Sequence, residues 1–401
     1  MFKELAMAQR RLLISIFLFG LASPMVVLYA NTFLWRHSQD PIILAIFNIG
    51  SYAGIFIGFF LNAYLLRMFQ SGRLYTLGCI LQGIVPILLI ALGAQANTYV
   101  LPLGLALGIA KGFFWANRNA LTSKITQGPH RYQFVSLETA LSITAGIISP
   151  LLIGWFIVFG DTHSSYTIEQ AYQITSVVGF ILLIAAGSFA WSYTMEPFTP
   201  KQFLLRQVSI RWKKQRLIEM INGIASGIES ILPLIIILLF LGQEEAVGTV
   251  KALTSALSAG VIYSLGKRIK HTHHTLLFGL WMSFNFMGSL WFALFYSPEA
   301  ALTFFILSGL VGSLRWSSFV SVMYEVVDEE IEESGHHRVL YLLDREFFLN
   351  VGRILGLGLL IMLYLYSHEL LVRYGLLIVV VIQIPTVFLL QQMTQSLKQQ
   401  V

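Results

Sequence analysis

Long apolar runs dominate this chain, and each has the length of about 20 residues that a helix needs to cross roughly 30 Å of hydrocarbon. The composition agrees, because 56% of the residues are hydrophobic and only 11% are charged, whereas soluble domains carry about 25% charged residues. Membrane β-barrels would instead show alternating segments of about ten residues. The sequence therefore predicts an all-α membrane protein in a lipid bilayer, since a helix satisfies every backbone polar group within its own segment.

Twelve apolar runs can be counted along the chain, and each is predicted to be a transmembrane helix. They lie near residues 12–34, 42–65, 75–94, 99–121, 133–158, 169–193, 216–240, 246–265, 275–296, 300–325, 339–365 and 372–392. With the N-terminus in the cytoplasm, most Lys and Arg residues between the runs fall on the cytoplasmic side, as the positive-inside rule requires. We therefore expect a multi-pass protein of the cytoplasmic (inner) membrane with both termini in the cytoplasm. The net charge of +6 comes from these loops, and no nucleic-acid partner is expected.

A basic linker at 196–215 divides the chain into two halves, 1–195 and 216–401, each with six predicted helices. An offset near 200 residues also relates the halves. The segment GIAKGFFWANR matches GLVGSLRWSSF and places Trp115 opposite Trp316, while LETALSITAG matches LDREFFLNVG and places Glu138 opposite Asp344. These matches keep the same order along the chain. They predict two pseudo-symmetric six-helix bundles built from parallel repeats.

Five predicted spans carry a charged residue deep inside an apolar run. These residues are Lys111, Glu138, Glu229, Arg315 and Arg353. A charge at the centre of a membrane helix costs about 2.5–3.5 kcal/mol on insertion scales. Such residues therefore have to face a water-filled cavity or pair with one another. Helical spacing supports this, because further polar residues share a face with each charge.

Twelve spans, a repeated six-helix half, a basic central linker and short basic turns resemble the major facilitator superfamily over essentially the whole chain. The turn motif of that family survives as Gly72-Arg73, with Phe69 at its Asp position. The fifth span carries SPLLIG, in which Pro150 and Gly154 match the Pro and final Gly of the antiporter motif. The resemblance implies alternating access, with spans three, six, nine and twelve as peripheral supports. None of the five deep charges falls in those four spans.

The charged residues suggest two groups of roles. We expect the solute to contact a set of cations, aromatic rings and one amide, of which Arg353 is the first candidate because guanidinium grips carboxylate bidentately. The full set is Arg353, Arg315, Lys111, Trp115, Trp316 and Asn350. We expect proton coupling by Glu229 first, since burial favours the protonated form of a carboxylate, and then by Glu138 and Glu346. The alternative is that the charges form structural ion pairs, such as Glu138 with Lys111 and Glu346 with Arg353.

The function predicted from these features is secondary active transport of a small zwitterionic, anionic or amphiphilic solute, coupled to a proton and favouring export by antiport. A proton symporter for uptake is one alternative, and a membrane receptor or lipid-modifying enzyme is another. No Walker-type nucleotide loop, His-Glu-x-x-His helix or Gly-x-Ser-x-Gly elbow occurs. We therefore expect no cofactor, no metal site and no enzymatic activity. The expected partners are the solute, the proton and the bilayer, and the chain is expected to be monomeric.

Overall fold

The computed structural model describes residues 5–125, 131–194, 204–265, 274–334 and 338–398, and all regular elements in these ranges are helices. The first six helices are α1 Met7–Ser38, α2 Pro41–Leu65, α3 Ser71–Leu92, α4 Val100–Ile125, α5 Arg131–Thr162 and α6 Ile168–Ala190, with a short 3-10 helix, Gly93–Thr98, before α4. The remaining helices are α7 Ile210–Glu229, α8 Leu232–Phe240, α9 Glu244–Leu265, α10 His274–Phe295, α11 Pro298–Ser334, α12 Arg338–Tyr366, α13 His368–Ile382 and α14 Ile384–Lys398.

The helices account for all twelve predicted spans. Among the described residues, 11 helical segments are long and apolar enough to cross a membrane by length and composition. The remaining predicted span, near 300–325, lies within α11, which has 37 residues. The helices of the described residues therefore coincide with the predicted spans.

Two predicted spans are each interrupted by a break between two helices. The seventh span consists of α7 and α8, and Pro233 lies in the first turn of α8. Proline has no N–H and cannot continue the hydrogen-bond ladder, and here Ser230 N–H and Ile231 N–H bond to the carbonyls of Gly227 and Ile228 instead. The twelfth span breaks in the same way at Gln383, between α13 and α14. The break in the seventh span places Glu229 at the end of α7.

Contacts between Cα atoms divide the chain into two units. Unit 1 comprises Met1–Pro200 and Gly242–Ala252, and unit 2 comprises Lys201–Leu241 and Leu253–Val401. The first turns of α9 thus group with unit 1 and the rest of α9 with unit 2. Of the predicted linker 196–215, residues up to 203 lie outside the described part of the chain, and α7 already begins at Ile210.

In unit 1, α2 and α4 approach closely along a seam of glycines. A Cβ atom on Gly54 or Gly58 of α2, or on Gly108 or Gly112 of α4, would collide with the backbone of the facing helix. Small residues at such positions let membrane helices pack by direct backbone contact. Asn117 Nδ2 of α4 also donates to Asn62 Oδ1 of α2 at 2.6 Å.

In unit 2, α7 and α12 form a second glycine seam. Gly223 and Gly227 of α7 face Gly352 and Gly356 of α12, and a Cβ at any of them would meet backbone atoms of the other helix. This close approach brings the polar residues flanking the seam on both helices within hydrogen-bonding distance of one another.

A buried ion pair fixes the start of this helix pair. Asp344 of α12 is fully buried, and its carboxylate accepts two hydrogen bonds from Arg216 of α7, both at 2.7 Å. Trp212 Nε1 and Leu205 N–H also donate to Asp344, at 2.7 Å and 3.2 Å. Every donor comes from α7 or the segment before it, so Asp344 holds that segment against α12.

The glycine seam predicts a difference between two substitutions in the same helix. Gly352→Ala places a methyl group against the Met220 carbonyl oxygen, whereas a Cβ on Gly358 has nothing within 4 Å. We expect Gly352→Ala to destabilise the protein by about 1–3 kcal/mol. We expect Gly358→Ala to be neutral or to stabilise it by up to about 1 kcal/mol, because alanine favours the helix. Thermal unfolding of the two variants in the same detergent compares them, and equal melting temperatures would contradict the seam.

The hydrogen bonds of Asp344 predict a large loss of stability when its carboxylate is removed. Asp344→Asn leaves Arg216 without its carboxylate, and breaking a buried pair from one side costs about 3–5 kcal/mol. The matched control is Glu369→Gln, whose partner Arg373 lies four residues away and whose side chain is 63% exposed. We expect less than about 1 kcal/mol for this control. Chemical unfolding of both variants measures the difference, and a loss at Asp344 no larger than that of the control would refute the assignment.

Candidate functional site

The central feature of unit 2 is an ion pair between α7 and α11. Arg315 Nη1 lies 2.8 Å from Glu229 Oε2, and Arg315 Nη2 donates to Asn222 Oδ1 at 3.3 Å. The guanidinium carbon of Arg315 also lies 4.7 Å from the ring centre of Trp281 in α10, within the range of a cation–π interaction. Three helices therefore position one guanidinium group opposite one carboxylate.

The Arg315–Glu229 pair is only partly buried. The side chains keep 20% and 30% of their surface exposed, respectively. This separates the pair from Asp344 of the structural pair, whose side chain has no exposure at all. Because Glu229 is the last residue of α7, next to the break, its carboxylate also lies where the regular helix ends. A partly exposed pair can exchange one partner for a charged group on a bound molecule without first unpacking the bundle.

The polar face of α12 continues beside this pair. Arg353 Nη1 donates to Asn350 Oδ1 at 3.1 Å, and Asn350 Nδ2 donates to the Glu346 carbonyl at 2.7 Å. Asn350 is 2% exposed, and the backbone of Arg353 packs directly against Gly227. Asn350 therefore orients the guanidinium of Arg353 from within the same helix.

A second charged cluster links α7 and α12, about three turns from Glu229 along α7. Arg345 Nε lies 2.6 Å from Glu219 Oε1, and Arg345 Nη1 lies 3.0 Å from Glu346 Oε1. Gln215 Nε2 donates to the same Glu219 oxygen at 3.1 Å. One guanidinium thus serves two carboxylates, and Glu219 has no exposed surface.

Unit 1 holds a separate group of charges on α4 and α5. Arg118 forms an ion pair with Glu138, and its guanidinium carbon lies 5.0 Å from the ring centre of Trp115. Lys111 Nζ donates to Ser51 Oγ of α2 at 3.1 Å. The Glu138 pair is also partly exposed, with 22% for Arg118 and 12% for Glu138.

The antiporter-like segment of α5 lies where α5 meets residues 242–252, within unit 1. Tyr29 OH donates to the Pro150 carbonyl at 2.5 Å, and a Cβ on Gly154 would meet the Glu244 carbonyl. Glu244 in turn pairs with Arg36 at 3.1 Å and accepts a hydrogen bond from Tyr172 OH at 3.0 Å. Pro150 and Gly154 therefore lie where the backbone of α5 is in close contact with Tyr29 and Glu244.

The ion pairs in the structure differ from those considered in the sequence analysis. Glu229 and Arg315 are in direct contact, although the sequence offered no partner for Glu229. Glu138, for which Lys111 was the alternative partner, pairs with Arg118, and Glu346, for which Arg353 was considered, pairs with its neighbour Arg345. Two helical turns separate Glu346 from Arg353, which is long for a direct contact. The side chain of Arg345, in contrast, contacts both Glu219 and Glu346. The side chain of Trp316 lies outside the described residues.

The clusters also contain residues that were not among the predicted site residues, including Glu219, Arg345 and Trp281. Glu219 and Arg345 lie nearer the helix starts than the mid-span charges on which the prediction concentrated. The sequence indicated this cluster only through Glu219, which lies on the same polar face of the seventh span as Glu229. Trp281 belongs to the ninth span, which the resemblance assigned to the periphery, and no sequence signal connected it with Arg315. Among the described residues, no group of three or more His, Cys, Asp and Glu side chains is arranged to hold a metal ion.

Comparison with known proteins identifies the family. The Major Facilitator Superfamily model matches residues 12–336. The uncharacterized protein YqgE of Bacillus subtilis (strain 168) is 26% identical over 340 residues, which cover 82% of this chain and 76% of YqgE.

Solved structures support the same fold at low identity. A POT family transporter in complex with 5-aminolevulinic acid superposes with a TM-score of 0.71 at 10% identity, covering 96% of each chain. A bacterial homologue of the iron transporter ferroportin, in the inward-facing state, gives 0.69 at 12% identity, covering 96% of this chain and 98% of the other. These matches confirm the predicted fold class of twelve helices in two bundles. The chain belongs to the Major Facilitator Superfamily and has the fold of a multi-pass membrane transporter.

Proposed function

We propose that this protein is a secondary active transporter that moves a small zwitterionic, anionic or amphiphilic organic solute in exchange for a proton, in the direction of export. The observation that carries the proposal is the partly exposed Arg315–Glu229 pair, which presents opposite charges 2.8 Å apart at the break of the seventh span. In this proposal the protein lies in the cytoplasmic membrane as a monomer with both termini in the cytoplasm. The other solute contacts proposed from the sequence are Arg353, Asn350 and Trp316 in unit 2, and Lys111 and Trp115 in unit 1.

An internal ion pair suits a zwitterion better than a neutral sugar. The carboxylate of the solute would take the place of Glu229 on Arg315, and its ammonium group would take the place of Arg315 on Glu229. Each buried charge then keeps a partner, so the cost of leaving one uncompensated does not arise. Trp281 would offer an aromatic face to the solute, in addition to its contact with Arg315.

The same pair also supports the step in which the carrier returns without solute. When the solute leaves, Arg315 and Glu229 can pair again, and the unloaded site returns to charge balance. A carrier that exchanges solute for a proton reorients once with the solute bound and once with the proton bound and the solute absent, and unpaired charges at the solute site would oppose the second step. The internal pair removes that obstacle from the solute-free state.

The charge of the solute decides between exchange and co-transport. A positively charged group on the solute competes with a proton for Glu229, and competition of two ligands for one group is the requirement of antiport. A purely anionic solute would instead occupy Arg315 and release Glu229 to accept a proton, which is the requirement of symport. The antiporter-like segment around Pro150 and Gly154 favours antiport, and symport is the second candidate.

Substitutions in the pair test the transport function. We expect Glu229→Gln and Arg315→Lys each to lower the transport rate in proteoliposomes by about tenfold to a hundredfold, because each removes a charged hydrogen bond worth about 1.5–3 kcal/mol. Lysine keeps the charge of Arg315 and loses its fork geometry. Glu369→Gln, on the exposed pair at the start of α13, is the control and should transport normally.

The solutes for this assay come from a library of amino acids, organic acids and amphiphiles, screened by fluorescence quenching of a pH dye inside the vesicles. If correctly folded Glu229→Gln and Arg315→Lys move every solute as fast as the unmodified protein, this site is not the transport site.

An imposed pH gradient tests the direction of coupling. We expect solute to accumulate in vesicles whose interior is more acidic than the medium, because protons leaving the vesicle drive solute in the opposite direction. Collapse of the gradient with a protonophore should stop accumulation. Accumulation only in vesicles with an alkaline interior would show symport instead.

A further inference from the structure

The cluster of Glu219, Arg345 and Glu346 is out of charge balance, unlike the Arg216–Asp344 and Arg315–Glu229 pairs of unit 2. Two carboxylates share one guanidinium, so the cluster has one excess negative charge when both acids are ionised. Asp344 with Arg216 and Glu229 with Arg315 are each matched one to one. An excess charge inside a membrane helix pair is costly, and a single proton would remove it.

Burial makes this imbalance significant. The side chain of Glu219 has no exposed surface, Arg345 keeps 11% and Glu346 keeps 25%. Glu219 Oε2 has no hydrogen-bond donor among the described residues, and neither does Oε1 of the adjacent Gln215, which is 1% exposed. A carboxylate oxygen without any donor is poorly stabilised as an anion.

Gln215 provides a hydrogen-bond partner for either state of Glu219. At present its Nε2 donates to Glu219 Oε1 at 3.1 Å, which suits the ionised acid. With the amide turned over, its oxygen would accept a hydrogen bond from a protonated Glu219, since the two ends of an amide differ only in donor and acceptor character. The side chain can therefore follow a proton on and off Glu219 without leaving its place.

Among the described residues, the helices packed against this cluster bring no further cation to it. From α11 the phenol of Tyr324 interacts with Arg345. In α12, Arg353 lies two turns beyond Glu346 and donates to Asn350. No residue of α8 is ionisable, and in α14 only Lys398, at its last position and with its side chain outside the described residues, is. The ionisable residues of α13 all lie in its first half: His368, Glu369, Arg373 and Tyr374.

We propose that the coupling proton binds to this cluster, on Glu219, and that Glu346 is the more accessible carboxylate through which it enters and leaves. The step is a simple protonation: a carboxylate oxygen gains a proton, the cluster becomes neutral, and no other bond changes. The Arg315–Glu229 pair then serves the solute alone, so this proposal replaces direct competition of proton and solute for Glu229 with mutual exclusion transmitted along α7. This proposal rests on the proposed transport function and reassigns the proton from Glu229, the first candidate from the sequence, to a site about 15 Å away along the same helix at 1.5 Å per residue.

The location of the two sites suggests how they are connected. Glu219 and Glu229 lie on one helix, α7, and both pair with arginines on neighbouring helices, Arg345 on α12 and Arg315 on α11. The glycine seam with α12 packs α7 rigidly between the two sites. A change in the ion pair between Arg345 and Glu219 would therefore be transmitted along α7 to the Arg315–Glu229 pair.

Infrared spectroscopy of the purified protein tests the proton site without any solute. We expect the unmodified protein to show a protonated-carboxyl band that disappears on alkaline titration. This band should be absent in Glu219→Gln and also in Glu346→Gln, because either substitution leaves one acid for one arginine. It should remain in Glu229→Gln, the matched control ten positions along α7, and in Glu369→Gln. Melting temperature confirms folding, and Glu346→Gln, at the more exposed end, covers the case in which Glu219→Gln does not fold.

Transport measurements separate proton coupling from solute binding. We expect Glu219→Gln to retain solute exchange between equal concentrations and to lose accumulation driven by a pH gradient. Glu229→Gln should lose both. A titrating band that is lost in Glu229→Gln and kept in both Glu219→Gln and Glu346→Gln would overturn the proton site, as would the absence of any titrating band. Since the spectra need no solute, absence of transport with an intact Glu219 band would reject the proposed function and leave the proton site standing.

Discussion

The organisation of unit 2 depends on one constraint: an ionised side chain inside a membrane protein needs a partner. Arg216 and Asp344, Arg345 with Glu219 and Glu346, and Arg315 with Glu229 meet this need in succession along α7. Each of these three groups joins α7 to α12 or α11. The charges that make these spans costly to bury are therefore also what orders the helices around α7.

Backbone contact makes this pairing geometrically possible. Gly223 and Gly227 let α7 approach Gly352 and Gly356 of α12 so closely that a methyl group would not fit, and the flanking polar side chains then lie across a narrow gap. Unit 1 uses the same device between α2 and α4, but there the flanking contacts are mostly uncharged, as in the hydrogen bond between Asn117 and Asn62. The two units thus share a packing principle and differ in how much charge they hold.

The charge clusters differ in balance and exposure, and this difference separates their chemistry. Asp344 is fully buried with four donors, which suits a permanent structural contact. The Arg315–Glu229 pair is matched and partly exposed, which suits exchange with a charged solute. The Glu219 cluster is buried and unmatched, which suits uptake of one proton. Counting opposite charges and their donors at each position therefore gives more information than the presence of a charge alone.

The sequence by itself determined the membrane class and the twelve spans, because apolar length and helical periodicity depend only on local order along the chain. The family was indicated by the resemblance of its repeat and motifs to the Major Facilitator Superfamily. The sequence also identified Glu229, Arg315 and Arg353 as residues that need partners. Only the tertiary structure decided the partners, since these depend on which helices touch: Glu229 meets Arg315 from a span 86 residues away, and Trp281 joins them from a helix with no charge of its own. Glu219 and Arg345 became visible as a cluster only when the glycine seam brought α7 and α12 together.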